Sequence, residues 1–238
     1  HHRVDHVRHE GGRVVALELS APDGSVAVDV DRVISTMPLD ELVLKMLPEP
    51  PLEVVSAARG LRYRSIITVN LMLPRKETVP DTWIYIHAPE VVAGRLQVYK
   101  NWSPAMVPNP EMSTLGLEYF ADEGDQMWTQ SNEALSEIAR ADLDRIGLAK
   151  SSEVFDGFVV RYPKAYPVYA DAYLDKVSVL RSYLSQFCNL ECAGRYGQFR
   201  YNNMDHSILT GMLAARKLCG EPCDPWTVNV DDDYHEEK

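Results

Sequence analysis

The residues best suited to chemistry lie in one stretch, 189–211, which reads NLECAGRYGQFRYNNMDHSILTG. Its pattern predicts a buried strand, a turn with Gly194 and Gly197, a basic and aromatic loop, and a helix that begins at 203–205. A helix start carries unpaired N–H groups and partial positive charge, which suit an anionic or carbonyl-rich ligand edge, and glycines let a ligand approach the backbone. An ordinary surface helix with Asp205 as its N-cap explains the same residues, and on these features alone it is the simpler interpretation.

Cysteine and histidine offer a weaker case for metal chemistry. Four cysteines form two closely spaced pairs: Cys188 with Cys192, and Cys219 with Cys223. Zinc ligands often stand two to four residues apart, but Cys192 falls in the predicted buried strand, where cysteine behaves as a small hydrophobic residue. His6 and His9 would point to opposite faces of a strand, because side chains alternate. We therefore predict no metal site.

Several catalytic signatures are missing from the sequence. There is no Gly-x-Ser-x-Gly nucleophile elbow and no Gly-x-x-x-x-Gly-Lys-Ser/Thr phosphate loop. None of the 13 glycines forms a Gly-x-Gly-x-x-Gly fingerprint, which a complete dinucleotide-binding domain normally shows after its first strand. The sequence thus argues against a serine hydrolase of that type and against phosphoryl transfer by that loop.

Length and charge narrow the class of protein. The 238 residues are enough for one large domain or two small ones, at about 150 residues per domain. There are 24 Lys and Arg against 35 Asp and Glu, a net charge of −11, which argues against nucleic acid or an anionic membrane as partner. No apolar run approaches the about 20 residues of a membrane helix, and the first residues do not resemble a signal peptide. We expect a cytoplasmic protein.

The elements that must position the 189–211 stretch follow from periodicity and turn residues. The first third predicts a β-ribbon at 3–30, a short buried strand at 33–38 and a short helix at 40–47. The middle predicts strands at 65–73, 83–87, 96–102, 115–120 and 154–161. It also predicts one helix at 131–146, capped by Ser131 and ended by Gly147, and a loop at 162–167. The last third predicts a helix from 171, a strand at 189–193 and a helix at 205–218 that turns Ile208, Met212 and Ala215 inward, followed by a charged tail at 231–238.

Five short segments occur in a characteristic order: VISTMPL at 33–39, NWSP at 101–104, AYP at 165–167, GR at 194–195 and NMDHS at 203–207. Together they resemble the C-terminal half of the flavin amine-oxidase superfamily, which includes monoamine oxidases, protoporphyrinogen oxidase and UDP-galactopyranose mutase. The last segment is similar to Asn-Gln-Asp-His-Ser of eukaryotic-type galactopyranose mutases, with Met204 in place of Gln.

The resemblance implies a mixed α+β and α/β fold. An antiparallel-sheet substrate domain with a helical flank, residues 61–170, would be inserted in a partial, Rossmann-like FAD-binding domain made of 1–60 and 171–238. The N-terminal βαβ unit with the glycine fingerprint has no counterpart in this sequence. We therefore expect the chain alone to bind FAD weakly or not at all, and to expose apolar surface that favours a homo-oligomer.

The resemblance also implies site residues. The FAD contacts would come from Val7, Met37, Gly194, Arg195, Asn203, Met204 and Asp205. In mutase-like relatives the substrate diphosphate is contacted by residues that match Arg95, Tyr166 and Tyr201. Arginines flanked by aromatic residues are as often buried ion-pair partners, so that interpretation of Arg95 stays open.

The function that follows is that of the C-terminal portion of an FAD-dependent oxidoreductase. The flavin would take a hydride from a small-molecule substrate held by the sheet domain, and no side chain stands out as an acid or base. One alternative is a flavin-dependent isomerase similar to UDP-galactopyranose mutase. Another is a binding or assembly module without catalysis.

Overall fold

The computed structural model describes residues 2–170 and 172–230, so the predicted tail at 231–238 lies outside the described residues. The chain divides into two compact units. Unit 1 combines the N-terminal part up to residue 62 with the part from 166 onward, and unit 2 is Tyr63–Ala165.

The elements have the following bounds. The strands are β1 (Arg3–Glu10), β2 (Arg13–Ala21), β3 (Gly24–Asp29), β4 (Val33–Ser35), β5 (Met46–Leu47), β6 (Arg62–Leu73), β7 (Trp83–Tyr85), β8 (Arg95–Val98), β9 (Ser113–Ala121), β10 (Asp156–Val168) and β11 (Leu190–Cys192). The helices are α1 (Leu39–Leu44), α2 (Leu52–Arg59), α3 (Tyr99–Trp102), α4 (Asn132–Ile146), α5 (Tyr173–Leu184), α6 (Gly194–Gly197) and α7 (Met204–Leu218). No helix among them is long and apolar enough to cross a bilayer.

Unit 1 holds the predicted β-ribbon and a parallel strand pair. The ribbon has the order β3-β2-β1-β5, and β4 pairs in parallel with β11. Asn189 connects the two: its side chain donates to the carbonyls of Val14 (2.8 Å) and Asp31 (2.9 Å) and accepts the N–H of Val14 (2.9 Å). Its own carbonyl accepts the N–H of Val33 at 2.8 Å. One buried carboxamide thus fixes the parallel pair against the ribbon.

The segment between β4 and unit 2 differs from the prediction. The predicted helix at 40–47 ends at Leu44, and Met46–Leu47 form a strand that pairs in parallel with β1. A second helix, α2, follows Pro51 and is absent from the prediction, because prolines after a helical pattern indicate only where that helix stops. Proline is well tolerated where a helix begins, and α2 buries Val54, Val55, Ala57 and Ala58.

Unit 2 is a five-stranded sheet with a helical flank, as predicted. Its strand order is β10-β6-β9-β8-β7, with antiparallel pairing of β6 with β9, β9 with β8, and β8 with β7. The predicted caps of α4 are confirmed: Ser131 Oγ accepts the N–H of Ala134 at 3.2 Å, and Gly147 is left-handed with φ of 75°. One core joins α4 to the sheet through Ile67, Val69, Leu71, Leu115, Leu117, Leu135, Ala139 and Leu143.

Two boundaries predicted for unit 2 are wrong. The predicted loop at 162–167 belongs to β10, which lies at the edge of the sheet, where proline does not interrupt a ladder. The predicted strand at 96–102 ends at Val98, and the short helix α3 follows it.

Helix α7 buries a different face from the predicted one. Thr210 and Ala214 are its buried residues, whereas Ile208, Met212 and Ala215 are exposed. Thr210 can be buried because its hydroxyl is fully used: it accepts the N–H of Gly194 (2.9 Å) and donates to the carbonyl of Ser207 (2.8 Å).

We predict that Asn189→Ala lowers the free energy of unfolding by about 3 kcal/mol, because it leaves two buried backbone groups of Val14 and the partly buried carbonyl of Asp31 without their partner. Urea denaturation followed by circular dichroism measures this. Gln186→Ala, an exposed position three residues earlier, is the control and should change stability little. Equal stability of the two variants would contradict the role given to Asn189.

Candidate functional site

The candidate site of unit 1 begins where the two parallel strands end. Cys192 of β11 lies opposite Ser35 of β4, and the N–H of Ala193 donates to the Ser35 carbonyl at 3.0 Å. Ligands of α/β sheets bind beyond the carboxyl ends of parallel strands. The residues that follow, Met37 and Gly194, are both only half-buried, so this edge is accessible within the unit.

Two glycines shape this edge. Gly194 has φ of +79°, a conformation that favours glycine, and open space where a Cβ would lie. A Cβ on Gly197 would lie 2.7 Å from the Ser35 carbonyl oxygen, so only glycine lets α6 pack this closely on the end of β4. The predicted glycine turn is therefore a single helical turn pressed against the strand end.

The start of α7 lies next along the chain, and its N-cap is Asn203 instead of the predicted alternative, Asp205. The Asn203 N–H donates to Nδ1 of His206 at 3.3 Å. Met204 is 79% exposed and Asp205 is exposed. The N–H of His206 is accepted by the Asn203 side chain, whereas the N–H groups of Met204 and Asp205 have no partner within this 15-residue helix and can meet a ligand.

A cluster of one arginine and two tyrosines lies beside α6. The Arg195 guanidinium is 4.8 Å from the ring centroids of both Tyr166 and Tyr201, which stack on each other at 5.3 Å. Arg195 Nε donates to the carbonyl of Asn202 at 2.9 Å. The structure thus brings together one residue predicted for the cofactor and two predicted for the substrate.

Sequence reasoning missed the support beneath this cluster. Asn202 is buried, and Asn229 Nδ2 donates to its side-chain oxygen (3.1 Å) and to the Tyr201 carbonyl (3.0 Å). Arg200 donates to the carbonyls of Trp226 and Val228, at 3.1 and 2.7 Å. The signal in the sequence is weak, since asparagines and a lone tryptophan in a polar segment are common in loops.

Val7 lies in the ribbon, at the centre of β1. Its side chain is fully buried and its N–H donates to the Lys45 carbonyl at 2.8 Å. Because this hydrogen bond already uses the N–H of Val7, a cofactor that contacts β1 here would have to bind to another atom of the strand.

Arg95 lies in unit 2, in the ion-pair arrangement that the sequence leaves open. Its Nη2 is 2.6 Å from Oε2 of Glu118, and the two side chains are 12% and 8% exposed. The guanidinium lies over Phe120 at 5.1 Å and over Trp83 and Tyr85 at 6.0 Å each. Whether Arg95 also contacts a substrate stays a prediction.

The cysteines do not form a cluster around a metal position. Cys192 is buried in β11, and burial raises the pKa of its thiol to about 12, so it stays protonated and acts as a small core residue. Cys188 and Cys219 are exposed. Among the described residues, no group of three His, Cys, Asp or Glu side chains could hold a metal ion.

We predict that Gly197→Ala destabilises unit 1 by about 2 kcal/mol, because its methyl group would overlap the Ser35 carbonyl. Gly211→Ala is the matched control: it lies inside α7, has nothing within 4 Å of the place that a Cβ would take, and should stabilise by up to about 1 kcal/mol. Thermal denaturation of both variants measures the difference, and a neutral Gly197→Ala would contradict the close packing of α6 on β4.

Three solved structures with similar folds are described as a mutase, a putative oxidase and an oxidoreductase. A reduced UDP-galactopyranose mutase matches with a TM-score of 0.78 and 20% identity, over 96% of this chain and 49% of that chain. A protein described as a putative protoporphyrinogen oxidase from Exiguobacterium sp. 255-15 matches with a TM-score of 0.59 and 19% identity, over 82% and 42%. An oxidoreductase from Methanosarcina mazei matches with a TM-score of 0.55 and 17% identity, over 82% and 44%.

This chain therefore spans about half the length of the solved structures it matches. Among curated protein sequences, none matches significantly. The family model of flavin containing amine oxidoreductases matches residues 1–219, most of the chain. The suspected superfamily is thereby confirmed: the chain belongs to the flavin containing amine oxidoreductase family.

Proposed function

We propose that this chain is the C-terminal portion of an FAD-dependent oxidoreductase of the amine-oxidase and protoporphyrinogen-oxidase type. In this proposal unit 1 is part of a Rossmann-like FAD-binding domain, and unit 2 is the substrate domain. The observation that carries the proposal is the juxtaposition, in a chain of this family, of two parallel strand ends, Gly194 and the start of α7.

The residues at this edge fit a flavin. The Ser35 hydroxyl is buried and has no hydrogen-bond partner among the described residues, so it can receive one from a ligand. Gly194 leaves open space beside the backbone, and the N–H groups of Met204 and Asp205 suit a carbonyl-rich ring edge. Met37, Arg195 and Asn203 complete the proposed set of contacts.

A bound flavin supplies the redox chemistry, since it accepts a hydride from a C–H bond of the substrate. The chain's own residues would bind and orient. The start of α7 presents partial positive charge, and Arg195 presents a fixed guanidinium beside two tyrosine rings. The predicted substrate contacts are Tyr166 and Tyr201 in unit 1 and, separately, Arg95 in unit 2.

A second candidate, a flavin-dependent isomerase similar to UDP-galactopyranose mutase, is favoured by one observation. The reduced mutase matches nearly the whole chain, with a TM-score of 0.78 against 0.59 for the protoporphyrinogen-oxidase-like protein. Arginines beside tyrosines, as in the Arg195 cluster, also suit a diphosphate. At 20% identity this likeness supports the fold, and the reaction remains to be tested.

The third candidate, a binding or assembly module, differs in that it takes up no flavin. Helix α7 exposes an apolar side formed by Met204, Ile208, Leu209 and Met212. A contiguous exposed apolar surface of this kind is consistent with the expected homo-oligomer.

We predict that the chain quenches the fluorescence of added FAD weakly but saturably, and that Gly194→Val abolishes this by straining the backbone at φ of +79°. Gly124→Val is the matched control, because Gly124 has φ of +90° and open surroundings in a turn of unit 2. Absence of quenching in the wild type would favour the assembly module, and equal quenching by both variants would contradict the proposed flavin edge.

The two enzyme candidates are separated by their product. We predict that the full-length protein of which this chain would be the C-terminal portion, incubated with excess reduced FAD and UDP-galactopyranose, forms no UDP-galactofuranose, because the leading candidate uses its flavin as a hydride acceptor. Anion-exchange chromatography separates the two sugar nucleotides. Formation of the furanose above the level of a flavin-only control would replace the leading candidate by the isomerase.

A further inference from the structure

Strand β3 forms the outer edge of the ribbon in unit 1. The order β3-β2-β1-β5 leaves one side of β3 without a paired strand among the described residues, and every residue of β3 is exposed. An unpaired edge presents a row of N–H and C=O groups with which another strand can pair. β3 therefore offers backbone hydrogen bonds to a further strand.

The register of the ribbon shows which backbone groups of β3 face this open edge. β2 and β3 pair residue by residue without a bulge, and just beyond them the N–H of Val30 donates to the carbonyl of Val15 at 3.1 Å. Hydrogen-bonded pairs alternate along an antiparallel ladder, so Val28 and Val26 also bond to β2. The alternate residues of β3 point their N–H and C=O groups away from β2. They are Ser25, Ala27 and Asp29.

This edge lacks the features that usually protect a strand from further pairing. The sequence of β3, GSVAVD, contains no proline and no lysine. The register shifts of the ribbon lie between β1 and β2, whereas the register between β2 and β3 is continuous. A regular and exposed edge without proline, lysine or a bulge pairs readily with another strand.

The two faces of β3 define what the added strand must carry. On one face, two valine–leucine pairs form an apolar strip: Val26 with Leu19 and Val28 with Leu17. These valines are 44% and 42% exposed. The other face is acidic, with Asp29 on β3 and Glu18 opposite Ala27, and Arg8, 3.4 Å from Glu18, compensates only one of these carboxylates. An added strand would thus be stabilised by apolar residues beside the valines and basic residues beside the carboxylates.

A second copy of this chain fits the edge less well than a basic strand. If two β3 strands paired in antiparallel fashion about Ala27, Asp23 of each copy would lie opposite Asp31 of the other. Both aspartates are exposed, and like charges in opposite positions destabilise a strand pair. Each copy also carries a net charge of −11. Charge therefore favours a basic partner over a copy of the chain.

We propose that β3 is a docking edge for an extended segment of another protein in which β-branched apolar residues alternate with lysine or arginine. The segment adds a strand to the ribbon by bonding to the outward backbone groups at Ser25, Ala27 and Asp29. Main-chain hydrogen bonds supply affinity in this mode of binding, and the alternating side chains supply specificity. The inference goes beyond the proposed function and does not depend on a flavin.

The test uses a capped peptide, Lys-Val-Lys-Val-Lys-Val-Lys, titrated by calorimetry into the chain without flavin. We expect saturable binding. Ala27→Pro should weaken it about 10-fold, because proline removes an N–H donor from the open edge and leaves the bonds to β2 in place. Ala27→Thr is the matched control: it keeps the N–H, suits a strand and should change the affinity little.

A second pair of variants tests the charge of the edge. Asp29→Asn should weaken binding about 3-fold, because it removes a carboxylate beside the lysines of the peptide. Glu123→Gln, in an exposed turn of unit 2, makes the same change in net charge and should leave the affinity as it is. Equal affinity in Asp29→Asn and the wild type would contradict the choice of a basic partner.

The remaining outcomes also decide the proposal. Binding that Ala27→Pro weakens and Ala27→Thr retains supports it. No binding to the wild type, equal affinity in folded Ala27→Pro, or equal affinity for a peptide with glutamate in place of lysine overturns it. If Ala27→Pro does not fold, a lysine peptide methylated on every backbone nitrogen takes its place, and equal binding of that peptide overturns the proposal. A dimer that sedimentation detects in the wild type and in Ala27→Thr, but not in Ala27→Pro, would assign the edge to a second copy and overturn the basic partner.

Discussion

The carboxamide of Asn189 is the constraint on which unit 1 depends. Its side-chain N–H groups donate to the carbonyls of Val14 and Asp31, and its side-chain oxygen accepts the N–H of Val14. Its backbone carbonyl accepts the N–H of Val33. Because these bonds fix where β4 and β11 start, they also fix where both strands end. The edge formed by Ser35, Ala193 and Gly194 is therefore set by one side chain at the opposite end of the strand pair.

What this edge offers a ligand is mainly backbone. Gly197 allows α6 to reach the Ser35 carbonyl, Thr210 fixes the N–H of Gly194, and Asn203 begins the helix whose first N–H groups remain for a partner. Backbone groups and fixed dipoles orient a cofactor and stabilise charge, but they do not exchange protons near neutral pH. Such a site suits a reaction in which the cofactor carries the chemistry, in agreement with the family.

The sequence could predict elements whose stability is local and could not predict those decided by tertiary partners. The caps of α4 and the apolar run of β6 carry their signals within a few residues, and both predictions are confirmed. Residues 162–167 contain two prolines and lie in a strand only because β10 is at an edge. The buried face of α7 is set by the bond of Thr210 to Gly194, 16 residues away, which no helical periodicity reveals. The cofactor and substrate residues came from family resemblance, and the partner of Arg95 came only from the structure.

Anion recognition in a chain with net charge −11 has to be local, because the overall field repels an anionic ligand. The two arginines predicted for ligands meet this condition by different means, each within its own unit. Arg195 is oriented by a backbone carbonyl and two tyrosine rings, and Arg95 by a carboxylate and three rings. In both cases the side-chain entropy of a long arginine is lost on folding, so less of it is lost when a ligand binds. The carboxylate beside Arg95 also lowers the local positive potential, so a ligand of Arg95 would have to be recognised by geometry more than by charge.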